Sequence, residues 1–87
     1  MSELENLTED EQLNIGARAK ALLEDEILSY AFQSIEERLI DEWINTAPDQ
    51  TETRERIHDL IHALSAVRGW LEEAVSNAEM VNQSRKH

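Results

Sequence analysis

The chain has 87 residues, nineteen Asp and Glu against eight Lys and Arg, a formal net charge of -11 and no cysteine. A length of that order allows one domain with a modest core, so a monomer is marginal and self-association would help it. The charge disfavours direct contact with phosphate backbones, the missing thiols exclude disulfides and cysteine chemistry, and no apolar run reaches the roughly 20 residues of a membrane span. The acidic N-terminus is unlike the basic start of a signal peptide, so the expectation is a protein of the cytoplasm, without membrane or export. Two glycines, one proline and no period-two alternation favour helix almost throughout.

The residues to Leu7 are polar and acidic and are expected to be flexible. Thr8 to Glu11 then reads as a capping box that opens a first helix, over about 9–24. Ile15, Ala19, Leu22 and Leu23 make its narrow apolar stripe. Gly16 lowers its propensity, so the first half is read as weak, unless the glycine admits a close contact. Glu24, Asp25 and Glu26 mark a kink or short break. A second helix, about 26–47, carries Leu28, Phe32, Ile35, Leu39 and Trp43 on one face, with Ile40, Ile44 and Ala47 on its flank. Pro48 ends it, and Asp49 or Thr51 is positioned to cap a third. That helix, about 50–80, is the longest. Ile57, Leu60, Leu64, Val67, Leu71, Ala74, Ala78 and Val81 recur along it at steps of three and four, the seam of a helix packed lengthwise on another. The tail 82–87 is polar and expected to be flexible.

The short turn at Pro48 makes the second and third helices antiparallel neighbours. The expected architecture is therefore all-α, three helices built on a long antiparallel hairpin. Its core sets Leu28 to Trp43 against Ile57 to Ala74. The third helix is apolar beyond one stripe, with Ile61 and Val75 on one side and Ala63 and Trp70 on the other. Ile40, Trp43, Ile44, Ile61, Trp70 and Val75 are accordingly the candidate protein interface, with a second copy as the expected partner and another protein as a further one; the alternative is that the first helix covers these flanks. Gly69, beside Trp70, is either a point of close approach or a surface glycine.

Catalytic signals are poor. His58, Asp59 and His62 read H-D-x-x-H, near the zinc-protease pattern H-E-x-x-H, in which two histidines one turn apart hold the metal and a glutamate reaches its water. Aspartate is one methylene shorter, no third ligand is evident, and the pair is read as exposed surface, capable at most of adventitious metal binding. No catalytic residue, cofactor, metal or small-molecule substrate is expected. Glu26, Glu37, Asp41, Glu72 and Glu73 read as a solvated face. The sharper alternative is an acidic mimic of DNA that occupies a basic host defence or regulatory protein, although Arg38, Arg54, Arg56 and Arg68 interrupt the acids.

Ala19 to Asp25 (A-K-A-L-L-E-D), Phe32 with Ile35 and Leu39, Trp43, the Pro48-Asp49 turn, and Arg54 and Glu55 opening a helix with Val67, Arg68 and Leu71 together resemble a family. It is one of short all-helical proteins of tailed bacteriophages, encoded beside head and packaging genes. The resemblance covers about residues 17–75 and carries no active-site residues. It implies a non-enzymatic protein in particle assembly or an accessory to it, with a packaging adaptor as a further variant and another phage or host protein as the further partner. The family pattern would place a proline after L-L-E-D, where this chain has Glu26.

Overall fold

A computed structural model describes residues 3–86; the expectations for Met1, Ser2 and His87 lie outside them. A short 3-10 helix, Glu3–Asn6, precedes three α-helices, α1 (Glu9–Glu24), α2 (Glu26–Ile44) and α3 (Thr51–Arg85). Helix accounts for 88 % of the described residues, which contain no strand, so the class is all-α. The chain divides into two compact units. One holds the residues through Asp25 and those from Arg68 onward, and the other is Glu26–Val67. α3 contributes its second half to the first unit and its first half to the second.

In the first unit α1 begins at the expected capping box. The Thr8 hydroxyl accepts from the Glu11 amide at 3.2 Å, and the Glu11 carboxylate accepts from the Thr8 amide at 3.4 Å. Two orphan amides of the first turn are thereby satisfied. The helix ends at Asp25, whose extended backbone (ψ 123°) donates its amide to Leu22 at 3.2 Å. The predicted break is there, without a proline.

α1 lies antiparallel to the second half of α3. Gly16 is buried, and a Cβ built on it would fall on the Ala78 methyl and 3.0 Å from the Ala74 carbonyl oxygen. The glycine expected to weaken the helix is the point at which α3 approaches most closely, and helical geometry runs through it unbroken. Ala19, Leu71, Ala74 and Leu4 form the buried cluster, with Leu7, Ile15, Leu23 and Val75 packed on it. Leu71 and Ala74, expected to face α2, thus pack in the cluster with α1. Both termini also depart from expectation. Leu4 is only 2 % exposed, and the buried Gln12 ties its segment down by donating to the Leu7 carbonyl at 2.8 Å while accepting from Asn77 at 2.6 Å. A buried amide with both ends bonded rigidifies what it joins. At the other end α3 stays helical to Arg85, because that guanidinium reaches Asp10 at 2.8 Å and Glu9 at 3.3 Å.

In the second unit α2 and the first half of α3 form the predicted antiparallel hairpin. α2 stops at Ile44, three residues before the expected end. Thr46 explains the early stop: its hydroxyl donates to the Glu42 carbonyl at 2.6 Å and its amide to Trp43 at 3.1 Å, which takes the chain out of the helical ladder. Gln50, rather than Asp49 or Thr51, precedes α3; its carbonyl accepts from Arg54 at 3.1 Å and its side chain from Ala47 at 3.0 Å. Phe32, Leu39 and Ile57 are the buried apolar side chains of this unit.

The seam here is rotated from the expected one. Of the apolar positions of α3 in this unit, Ile57 is buried and Ile61 and Leu64 are half-buried, whereas Leu60 and Val67 are 49 % and 53 % exposed. Ile57, Leu60, Leu64 and Ile57, Ile61, Leu64 both step by three and four, so spacing alone does not choose between them. Ile35 is likewise exposed.

Candidate interaction surface

Six residues were expected to form a contact surface, and they divide between the two units. Ile40, Trp43, Ile44 and Ile61 fall in the hairpin unit, Trp70 and Val75 in the other. Ile61 is half-buried in the rotated seam, and Val75 packs against the Leu71–Ala74 cluster, so neither is a free apolar flank. Trp70 is exposed, and beside it nothing lies within 4 Å of a Cβ built on Gly69, which is therefore a surface glycine and not a point of approach.

Ile40, Trp43 and Ile44 remain as a coherent patch, 49 %, 41 % and 65 % exposed. They come at steps of three and one on the last turns of α2, so they share the flank beside the Leu39 face. Trp43 is fixed by the turn beneath it. The Arg54 guanidinium lies 4.2 Å from the Trp43 ring centre and donates to the Thr46 carbonyl at 3.2 Å. Its Nε is buried with no hydrogen-bond partner, so the ring face is what compensates that edge of the cation. An open cavity of about 490 Å³ follows, walled by Trp43, Pro48, Thr51, Arg54, Glu55, His58 and Asp59. The other side of the hairpin carries an apolar groove of about 330 Å³ between Ile35 and Leu39 of α2 and Leu60, Ala63, Leu64 and Val67 of α3. This groove escaped the sequence reading because Ile35, Leu60 and Val67 were assigned to the core.

The H-D-x-x-H residues are exposed. The rings of His58 and His62 stand 4.4 Å apart at 61°, and Asp59 Oδ1 lies 3.9 Å from His58 Nδ1. Asp59 thus sits beside one histidine, and among the described residues no three His, Cys, Asp or Glu side chains group to hold a metal. Among the described residues the one resolved perturbation of a titrating group is at Arg85, whose pKa is raised above its already high ordinary value by hydrogen bonds to Asp10 and then Glu9. That pair secures a helix end and is remote in kind from acid–base chemistry. No helix among the described residues is long and apolar enough to cross a membrane. Set against protein-family models, curated proteins and solved structures, the chain matches none of them.

Proposed function

We propose that the chain is a non-enzymatic helical protein–protein interaction module that works as a homo-oligomer. The observation that carries the reading is the exposed Ile40–Trp43–Ile44 patch on a hairpin unit whose buried apolar side chains are Phe32, Leu39 and Ile57. A unit of about 40 residues with so small a core is at the lower limit of independent stability, where association is a common remedy. Burying a large apolar side chain is worth about 1.5–3 kcal/mol. Covering the exposed parts of these three therefore yields about 2–5 kcal/mol per chain, and twice that in a two-fold contact. Association costs about 4–15 kcal/mol, so the net gain is at most about 6 kcal/mol and the dissociation constant is tens of micromolar or weaker. The biological setting, phage particle assembly or an accessory role, rests on the sequence resemblance.

Sedimentation equilibrium of the purified chain up to high micromolar concentration tests the reading. Reversible association that Ile44→Glu weakens is the expected result, and a strict monomer over that range refutes it. The net charge of -11 favours one competitor, the acidic mimic that occupies a basic protein. Capture of a basic protein from host lysate at low salt and its release at high salt would favour the mimic, because exposed charge pairs are screened by salt and apolar contacts are not.

A further inference from the structure

The segment ahead of α1 is seated in its unit the way a short peptide is seated in a groove. Glu3–Asn6 is a single turn of 3-10 helix, and the Leu7 amide extends it by donating to the Leu4 carbonyl at 3.2 Å. A turn that short does not hold itself together in water. Residues three apart in it are eclipsed, so Leu4 and Leu7 share one face, while Glu3, Glu5 and Asn6 are exposed. Leu4 is buried with Ala19 of α1 and with Leu71 and Ala74 of α3, and Leu7 packs on that cluster. Both alanines end at Cβ, so the Leu4 side chain fills the space between the two helices. The Leu7 carbonyl is held by Gln12, which is 8 % exposed and donates to it at 2.8 Å. Asn77 orients that amide by donating to its oxygen at 2.6 Å. Two apolar anchors and a buried donor for a main-chain carbonyl are the elements by which a helical groove recognises a peptide turn.

The start of α1 is secured without the segment. The Thr8 hydroxyl and amide both bond to Glu11, and the extended Thr8 backbone (ψ 159°) is the one joint between Leu7 and the helix. A small, largely exposed piece joined at one point opens at a lower free energy than the helices beneath it. We propose that Glu3–Leu7 is a latch that opens at Thr8 while α1 and α3 stay folded, and that the recess it uncovers binds a peptide turn of the pattern L-x-x-L, with Gln12 donating to the carbonyl of the second leucine. The chain's own L-E-N-L is the resident occupant and competes with any such ligand. Neither half of the proposal depends on self-association.

The test uses the full chain and a fluorescein-labelled, capped peptide of residues 3–9, with binding read by anisotropy. A Leu4→Asn/Leu7→Asn variant empties the recess and keeps its walls. A short linker gives the latch an effective concentration of millimolar order, so a latch closed by about tenfold implies a Kd for the peptide of about 0.1 mM or tighter in the emptied variant. Wild type should bind at least about tenfold more weakly, and adding Gln12→Ala to the emptied variant should weaken binding by about tenfold. In the wild type the Leu7 amide should exchange at least about tenfold faster than the best-protected amides of α1, at a rate that low denaturant leaves unchanged. Absence of peptide binding by the emptied variant up to 1 mM, or equal binding of a peptide with both leucines replaced by asparagine, would overturn the site. A Leu7 amide that exchanges only with the core, or loss of the helical circular dichroism in the emptied variant, would overturn the latch, because α1 and α3 would then depend on the segment.

Discussion

Glycine-to-alanine substitutions at the two glycines of this chain should change stability in opposite directions. In a helix interior alanine is favoured over glycine by about 0.8–1.0 kcal/mol. At Gly69 a new Cβ meets nothing within 4 Å, so Gly69→Ala should realise that whole gain. At Gly16 the same methyl would fall on the Ala78 Cβ and 3.0 Å from the Ala74 carbonyl, in a buried helix crossing. Overpacking costs about 1–3 kcal/mol, and a clash with backbone belongs at the upper end because no rotamer relieves it. After the propensity gain is subtracted, Gly16→Ala should destabilise by about 1–2 kcal/mol. For a domain of this size 1 kcal/mol moves the melting point by about 4–8 °C, so thermal unfolding followed by circular dichroism separates the variants clearly. A double-mutant cycle sharpens the assignment. Ala78→Gly is costly by itself but should recover much of the loss in the Gly16→Ala background, a coupling that only contacting residues show. A Gly16→Ala protein that melts at or above the wild type, or a cycle with no coupling, would show that the α1–α3 crossing is not as close as described.

Other perturbations follow from the same contacts. Leu4→Ala should cost about 2–5 kcal/mol, the range for a buried leucine, and an N-terminal segment that is merely frayed would show no such loss on chemical denaturation. Gln12→Ala leaves Asn77 and the Leu7 carbonyl without their partner; a loss of about 1–3 kcal/mol is expected, and faster amide exchange in residues 4–7 would report it. Arg85→Gln should fray the last turn of α3, raising amide exchange there, as should high salt on the wild type, because both Arg85 pairs are exposed. Since the Arg85 pKa is raised, its contribution is complete below the ordinary arginine pKa and fades only as pH rises through the higher folded value, so no change is expected across neutral pH. Trp70→Glu should weaken self-association if Trp70 belongs to the contact; unchanged sedimentation would remove it from the surface.

Much of the backbone was readable from local chemistry. The Thr8–Glu11 box, the apolar period of each helix, the carboxylates around Asp25 and Pro48 specify three helices and their breaks, because capping and proline sterics act within a few residues. What the local signals left open was decided by packing. Ile57, Leu60, Leu64 and Ile57, Ile61, Leu64 have equivalent spacing on α3, and only the seating of α2 leaves Leu60 and Val67 exposed while Ile61 turns inward. Leu71 and Ala74 are core residues in either account, but their partners proved to be Leu4 and Ala19, a choice no periodicity encodes. Gly16 and Gly69 look alike in a sequence, each a lapse in helix propensity. The tertiary structure alone separates them, because the worth of a missing Cβ depends on whether another helix occupies its place.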